Sequence, residues 1–332
     1  MRKLIRKATG LTVGVATLLA GLVLPMTASA ESASPIDASP IIHYSFDNAL
    51  TSKTIANEGS AANSDATLSG DATVANGQIN LTGSQTISVP TTAIAGKKDV
   101  TVSIWLKNNY GNGNTAAAYI GAAKTGNYPA NGYWLLNPAN PSGYAKSVMT
   151  NATAADPNNS PWGTEVGPGS TNAATTGTKA TSDLALYTTV ISGTNSTMSF
   201  YLNGKQVGDV TYTIPAGGLT NYGDLVAYIG KSSYADPNSK LDVDDYAVYD
   251  TAISAADVTK LYDAQVLDKA EAAVKAAVPA SATEDFALPT SAAGVSIAWK
   301  SGNAAIAVDN ATGKATVTRP AATAADAEVI LT

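Results

Sequence analysis

The stretch that decides the fold is Met198-Ser-Phe-Tyr-Leu-Asn-Gly-Lys-Gln-Val207. Apolar residues lie on both sides of Asn203-Gly204, and these two residues accept the positive φ angles that a tight primed turn requires. The stretch therefore predicts a β-hairpin with a two-residue turn.

Similar short runs of β-branched and aromatic residues recur from Ile41 to about Tyr249, separated by Gly, Asn, Pro and Ser. Helical periodicity is almost absent from this region. The clearest predicted strands are 100–106, 184–192, 198–202, 226–230 and 243–249. Many short strands at short spacing predict an all-β fold, an antiparallel two-sheet sandwich.

The pattern changes after residue 249. Ser254 can cap a helix whose first turn holds Asp257, and residues 267–278 follow as an Ala-, Glu- and Lys-rich helical linker. A second β segment begins near Phe286, with strands predicted at 295–300, 305–308 and 315–318. This segment is shorter than the ~100 residues of a complete Ig-like sandwich. We therefore expect a partial Ig-like domain in a chain that is a fragment of a longer protein.

The amino terminus has the pattern of an export signal. Arg2, Lys3, Arg6 and Lys7 precede an apolar stretch at 11–24, and small residues end at Ala28-Ser-Ala30. A membrane anchor is the alternative, but the apolar stretch is shorter than the ~20 residues of a spanning helix. The predicted organisation is a signal peptide at 1–30, a linker at 31–40, the sandwich at 41–265, a helical linker at 266–280 and the partial Ig-like domain at 281–332.

Charge and cysteine content exclude several classes of protein. The whole chain has 20 basic and 26 acidic residues, and loss of the four basic signal residues leaves a net charge of −10. Nucleic acids and anionic lipids both require a basic face, so neither is an expected partner. Cysteine is absent, which excludes a disulfide framework. We expect a secreted monomer without membrane insertion after signal cleavage. Association with the cell surface through a missing carboxyl-terminal region is the alternative to free secretion.

Several segments together resemble the laminin-G-like, concanavalin-A-type jelly-roll family. His43-Tyr-Ser-Phe-Asp47 resembles its opening strand, and residues 100–106 resemble its central strand, in which a tryptophan, here Trp105, sits in the core. Residues 199–207 resemble the family's hairpin, and residues 243–249 followed by 253–262 resemble its closing segment. The resemblance implies a jelly-roll sandwich over residues 41–265.

The carboxyl-terminal segment resembles a second family. Leu288-Pro-Thr290, Ile297-Ala-Trp-Lys-Ser-Gly-Asn303 and residues 313–320 resemble the atypical bacterial Ig-like module. In secreted Gram-positive proteins this pair of modules commonly accompanies glycoside hydrolases that act on arabinan or xylan. The resemblance therefore implies a plant-polysaccharide setting, with the full-length protein a glycoside hydrolase of arabinofuranosidase or xylosidase type.

Residues that could carry catalysis are scarce. Nucleophilic triads and histidine metal sites need imidazole, and the one histidine, His43, lies in a predicted strand as a packed or edge residue. Retaining glycosidases place two carboxyl groups about 5 Å apart. The sandwich has only Glu58 and Glu165, far apart in sequence, and no closely spaced acidic strand motif. No catalytic residue is predicted. A catalytic pair of carboxyl groups is the alternative that the sequence leaves open.

Asp242, Asp244 and Asp245 form an acidic cluster with two interpretations. Strand alternation places Asp244 on the inner face with Tyr246, where a buried carboxylate needs a partner. One interpretation is a structural calcium ion held by Asp244 and Asp47, since calcium accepts carboxylate oxygens. The other, which we favour, is hydrogen bonding to loop amides, so no cofactor is required.

The segment 107–181 is rich in Asn, Gly, Pro and Thr and carries many aromatic residues. Aromatic faces stack on sugar rings while amides bind the hydroxyls, so this composition favours a glycan site. Of the adjacent Tyr133 and Trp134, one is expected in the core. The predicted ligand-binding residues are Trp162, Tyr128, Tyr144, Tyr110 and Asn131. The prolines and glycine around Trp162 predict a surface loop, where the indole either binds sugar or anchors the loop.

The sequence thus favours a secreted, non-catalytic carbohydrate-binding module that recognises a polysaccharide or other glycan. Two alternatives stay open. One is a concanavalin-A-type glycosidase in its own right, and the other is a cell-surface adhesin.

Overall fold

The computed structural model describes residues 36–126, 128–129, 131–150, 161–321 and 324–332, together with the backbone of residues 16–20. The chain divides into two compact units. One consists of residues 31–266, and the other of residues 1–30 and 267–332.

Two antiparallel sheets form the first unit, which confirms the predicted two-sheet sandwich. The nine-stranded sheet contains, in spatial order, Lys205–Gln206, Thr197–Leu202, Ala185–Ser192, Asp99–Asn108, Leu241–Tyr249, Gln78–Leu81 and Thr73–Ala75, with Tyr212–Thr213 and Ile42–Tyr44 paired beside this path. The eight-stranded sheet contains Glu165–Val166, Lys146–Thr150, Tyr133–Asn137, Ala118–Ala122, Leu225–Ile229, Thr86–Val89, Ala66–Ser69 and Thr54–Ile55.

Short elements complete this unit. Lys124–Thr125 and Tyr128–Pro129 form a separate two-stranded ribbon. The 3₁₀ helices are Pro161–Thr164, Thr171–Ala173, Val207–Asp209 and Gly218–Tyr222. The first directly precedes strand Glu165–Val166 and the second begins after four intervening residues, so both lie close in sequence to the edge strand of the eight-stranded sheet.

Strand alternation divides side chains between the sandwich core and the outer faces. In strand Tyr133–Asn137, Trp134 and Leu136 join the core between the sheets, whereas Tyr133 and Leu135 join a separate apolar cluster. Both aromatic residues are fully buried. The expectation of one core aromatic at this position is confirmed for Trp134, and Tyr133 is left to shape the outer face of the eight-stranded sheet.

The predicted hairpin is confirmed. Strand Thr197–Leu202 pairs with Lys205–Gln206, and Asn203 and Gly204 have φ angles of 51° and 73°. The Asn203 side chain also accepts a hydrogen bond of 2.9 Å from the Leu186 amide on the neighbouring strand. The turn residues therefore both reverse the chain and tie the hairpin to the sheet.

The predicted inner-face position of Asp244 is wrong, because strand Leu241–Tyr249 contains a bulge. Asp244 pairs with Trp105 and Tyr246 pairs with Ile104, so Asp245, at φ 38°, has no opposite residue. Paired residues of antiparallel strands point to the same side of a sheet. Asp244 thus shares the outer face with Trp105, while Tyr246 points into the core.

One continuous helix, Ala255–Ala277, occupies the region in which a capped helix and a separate helical linker were expected. Ser254 caps it as predicted, since its hydroxyl accepts a hydrogen bond of 3.1 Å from the Asp257 amide. Trp105 stacks on Tyr262 at 5.9 Å between ring centroids and donates to Gln265 at 2.8 Å. Trp105 is fully buried as expected, but under this helix and not between the sheets.

The second unit has short strands around a small core. Its strands are Ser281–Ala282, Phe286–Ala287, Ser291–Ala292, Val295–Ser296, Ile306–Asp309, Lys314–Val317 and Glu328–Leu331, and the backbone of Ala16–Ala20 runs parallel to the last of these. Trp299, within the strand predicted at 295–300, lies outside the shorter observed strand. It is buried and donates from its indole nitrogen to the Pro289 carbonyl at 2.7 Å.

Most of the predicted signal peptide lies outside the described residues, so export stays a prediction. Within the part of the chain that the structure describes, no helix is both long enough and apolar enough to cross a membrane.

Candidate functional site

A cleft of about 510 Å³ lies over the outer face of the eight-stranded sheet. Tyr133, Leu135 and Lys146 reach it from two neighbouring strands, and loop residues close its sides. Its volume falls within the 300–1,000 Å³ that is usual for small-ligand sites. Strand positions fix its floor, so the cleft is built on a rigid element.

Three aromatic side chains form one wall of the cleft. Trp162 meets Tyr234 at 6.0 Å between ring centroids and 63° between planes, and Tyr234 meets Tyr133 at 5.4 Å and 87°. Tyr133 is fully buried, whereas Trp162 is partly exposed. The indole is therefore both supported from behind and open to a ligand.

Local structure explains the position of Trp162. The residue lies in the 3₁₀ helix Pro161–Thr164, in which the Thr164 hydroxyl donates to the Pro161 carbonyl at 2.8 Å. The next residues, Glu165 and Val166, pair with strand Lys146–Thr150. The predicted surface loop is thus a short helical turn held at the sheet edge.

Glu165 is buried behind this wall, and its carboxylate is saturated with hydrogen bonds. One oxygen accepts from the Tyr133 hydroxyl at 2.8 Å. The other accepts from Lys146 at 2.8 Å and from the amide and hydroxyl of Thr171, both at 3.0 Å. A carboxylate that accepts four hydrogen bonds from other parts of the cleft holds the cleft together.

The tyrosines of the wall extend this network. The Tyr234 hydroxyl donates to the Tyr133 hydroxyl at 2.9 Å and accepts from the Trp162 backbone. Burial, followed by the nearby Glu165 carboxylate, raises the pKa of Tyr133 well above its usual value, and burial also raises the pKa of Tyr234. Both hydroxyls therefore stay protonated and keep the wall in one arrangement.

Two asparagines of the cleft are used for loop structure. The Asn137 amide donates to the Gly113 carbonyl at 2.7 Å and accepts from the Ala139 amide at 3.0 Å. Asn140 bonds four backbone groups in the same way. These four bonds use all the hydrogen-bonding capacity of the Asn140 side chain, and Asn137 uses one donor and one acceptor position.

Three other polar side chains at the cleft, Asn114, Ser142 and Asp236, are exposed and make no hydrogen bond within the part of the chain that the structure describes. Partial burial raises the pKa of the Asp236 carboxyl above its usual value, and the Lys146 ammonium group opposes this shift. A partly exposed indole beside unused hydrogen-bonding groups can bind a ligand with an apolar face and hydroxyl edges.

Of the predicted binding residues, the cleft contains Trp162. The Tyr144 ring lies under the Lys179 ammonium group at 3.9 Å, and the Tyr110 ring lies beside Gly113. Asn131 donates to the Asn221 carbonyl at 3.5 Å, and Tyr128 lies on the ribbon strand Tyr128–Pro129. Tyr144, Tyr110 and Asn131 do not line the cleft, and the side chain of Tyr128 lies outside the described residues.

Sequence reasoning missed Tyr234, Asp236 and Lys146. The segment Ser232-Ser-Tyr-Ala-Asp-Pro-Asn238 places an aromatic residue among Ser, Asp, Pro and Asn, which is the composition that singled out residues 107–181. The same criterion applied after residue 230 finds Tyr234 and Asp236. Lys146 has no such signal, because its role depends on a carboxylate from another element.

The proposed calcium ligands approach each other on the outer face of the nine-stranded sheet. A Cβ atom on Gly77 would lie 3.4 Å from Asp47 Oδ1 and 4.0 Å from Asp244 Oδ2. Asp244 is only 2% exposed. Across the described residues, no group of three or more His, Cys, Asp or Glu side chains is arranged to hold a metal ion. Calcium binding stays a prediction.

His43 lies outside the cleft, on strand Ile42–Tyr44. Its ring nitrogens face Asp245 at 3.0 Å and Glu58 at 3.5 Å. The nearby Ser45 hydroxyl donates to Glu58 at 2.7 Å, so this hydroxyl is not directed at the imidazole. The arrangement is a surface cluster of one imidazole and two carboxylates and not a nucleophile with its base.

Residues 81–259 match the family model of the concanavalin A-like lectin/glucanases superfamily. The chain belongs to this superfamily. Residues 266–332 match the atrophied bacterial Ig domain, which confirms the predicted order of the two modules. In this superfamily member the matched range spans the cleft strands, Trp162 and Tyr234.

Solved structures similar to this superfamily member include domain 4 of AbnA, an extracellular GH43 arabinanase from Geobacillus stearothermophilus, in complex with arabinotriose. It is 19% identical with a TM-score of 0.47, over 68% of this chain and 98% of that chain. The receptor-binding domain of botulinum neurotoxin mosaic serotype C/D is 17% identical with a TM-score of 0.46, over 70% of this chain and 52% of that chain.

Trypanosoma rangeli sialidase, in complex with 2,3-difluorosialic acid, is 11% identical with a TM-score of 0.45, over 68% of this chain and 33% of that chain. No curated protein sequence matches the chain.

Proposed function

We propose that this chain is a non-catalytic carbohydrate-binding module and that the cleft beside Trp162 holds its ligand. The observation that carries the proposal is the partly exposed indole, supported by Tyr234 and flanked by Asn114, Ser142 and Asp236 with unused hydrogen-bonding capacity. Sugars offer apolar C–H faces and hydroxyl edges, so one pyranose or furanose ring satisfies both kinds of group.

The cleft chemistry favours binding over hydrolysis. A glycosidase needs one carboxyl group to carry a proton and a second to attack or to activate water. Glu165 is buried and accepts four hydrogen bonds, including one from Lys146. It is therefore not available for either role, and Asp236 alone does not make a pair.

The wider setting is part of the same proposal. We infer an exported module of a larger glycoside hydrolase that acts on arabinan- or xylan-type polysaccharide. The export pattern of residues 1–30 and the pairing of a concanavalin A-like domain with an atrophied bacterial Ig domain support it. An exported product that begins at Glu31 would establish the cleavage site.

Substitution of Trp162 tests the binding site. Trp162→Ala should weaken binding to the preferred polysaccharide by about 2 kcal/mol, roughly thirty-fold in Kd, as for a central aromatic contact. Affinity electrophoresis on arabinan and xylan measures the loss, and thermal melts of the same variant measure stability.

Tyr110→Ala is the matched control, because Tyr110 is a partly exposed aromatic residue outside the cleft. It should bind as the parent does. Failure of the parent to bind any glycan, release of reducing sugar by the parent, or full binding by Trp162→Ala would each contradict the proposal.

A further inference from the structure

The cleft has an excess of negative charge. Two carboxylates, Glu165 and Asp236, line it, and Lys146 is the one basic residue among its described lining residues.

The single ammonium group is already in use. Lys146 donates to Glu165 at 2.8 Å, and the side chains of this pair are 14% and 2% exposed. Removing Lys146 from this carboxylate would leave a buried charge without its partner, which is costly. Lys146 therefore neutralises Glu165, which leaves Asp236 as the uncompensated charge among the described lining residues.

Asp236 then decides the charge that a ligand meets. It is exposed at the cleft and makes no hydrogen bond within the described part of the chain. A free carboxylate can only accept hydrogen bonds, so it suits a sugar hydroxyl and repels a sugar carboxylate.

We propose that this cleft selects uncharged sugars and rejects glycans that bear carboxylates, with Asp236 as the residue that determines this specificity. The inference rests on the proposed carbohydrate-binding function and adds the class of sugar to it. Discrimination of this kind comes from a repulsive group placed against the wrong ligand as well as from contacts to the right one.

The test compares two derivatives of the neutral polysaccharide that the parent protein binds best. One bears carboxymethyl ethers and the other bears uncharged hydroxyethyl ethers, both at the same low degree of substitution, at which the hydroxyethyl form still binds. In ~0.15 M salt, where the Debye length is about 8 Å, charges distant from the cleft are screened. The parent should bind the carboxymethyl form about ten-fold more weakly than the hydroxyethyl form.

Asp236→Asn keeps an oxygen acceptor and removes the charge. The readout is the ratio of the two Kd values within each protein, so a change in overall affinity does not affect it. In Asp236→Asn this ratio should fall at least three-fold from its value in the parent. Asp224→Asn is the matched control, because Asp224 is an exposed carboxylate away from the cleft and its loss changes the net charge equally. It should leave the difference unchanged.

Equal binding of the two derivatives by the parent, or an undiminished difference in Asp236→Asn, would overturn the specificity proposal while leaving carbohydrate binding in place. Absence of binding to every neutral polysaccharide would instead overturn the proposed function, and the specificity inference with it.

Discussion

At the scale of single residues, the cleft depends on which polar groups are committed and which are free. Tyr133 and Lys146 both donate to Glu165, so these three side chains hold the wall together. Asp236 shares the cleft but makes no such bond to any residue that the structure describes. Residue type alone does not separate these roles, since both carboxylates would serve equally well in either position.

The pH dependence of stability should show that the ionised Asp236 carboxylate destabilises the folded protein. Its pKa is raised in the folded protein, so its ionisation disfavours folding above that pKa, and the cost disappears below the unfolded value of about 3.9. Asp236→Asn should therefore melt at a higher temperature than the parent at pH 7.

The difference in melting temperature should vanish near pH ~3.5, where both states of the parent are largely protonated at this position. Asp224→Asn, for which no such gain is expected, serves as control. A lower melting temperature of Asp236→Asn at pH 7 would show that Lys146 stabilises the ionised carboxylate more than burial disfavours it.

At the scale of elements, turns and bulges place side chains that regular strands alone would misplace. The bulge at Asp245 moves Asp244 to the outer face, where it lies near Asp47. The hairpin turn at Asn203-Gly204 reaches the helix, because a Cβ atom on Gly204 would lie 3.0 Å from the Tyr262 Cβ. The turn thus supports the helix that covers Trp105.

Gly204→Ala should destabilise the protein through both backbone conformation and this contact. Gly204 has a φ angle of 73°, and a left-handed conformation costs an alanine about 1–2 kcal/mol. Gly96→Ala is the control, because Gly96 has a φ angle of 77° and nothing within 4 Å of its would-be Cβ.

Urea denaturation of the two variants should give the larger loss of unfolding free energy for Gly204→Ala. The additional loss of unfolding free energy in Gly204→Ala, relative to Gly96→Ala, is the energetic cost of displacing Tyr262. Equal losses of unfolding free energy in the two variants would mean that the hairpin turn and the helix accommodate the added methyl group without loss of stability.

At the scale of the whole molecule, stability rests on apolar burial, since the chain has no cysteine and carries a net charge of −6. The sandwich core extends over both sheets, and a second cluster lies under the helix. A cation held by Asp47 and Asp244 would join the opening segment of the sandwich to strand Leu241–Tyr249 and so stabilise the fold as a unit.

Calcium should accordingly raise the melting temperature, and a chelator should lower it. A ligand present at 100 times its Kd stabilises the native state by about 2.7 kcal/mol. Asp47→Asn should abolish the response to calcium, and Asp71→Asn, at an exposed carboxylate outside this pair, should preserve it. The same melting temperature of the parent in calcium and in chelator would contradict the proposed calcium site.

The sequence by itself determined the features that depend on neighbours along the chain. The Asn203-Gly204 hairpin, the Ser254 helix cap and the predicted strands of the sandwich follow from turn chemistry, capping and periodicity, each of which acts within a few residues. The order of the two modules came from the resemblance of their sequence motifs to two known families. Trp162 was found in the same way, from the prolines and glycine that exclude a central strand.

Only the tertiary structure decided which of these residues form one site. Trp162, Tyr234 and Lys146 come from different segments, and the fold brings the strands and loops that carry them to one cleft. The outer-face position of Asp244 likewise depends on its pairing with Trp105 across the sheet. These contacts are set by pairing between strands that are distant in sequence. The periodicity of a single strand does not predict which residue of the neighbouring strand will lie opposite.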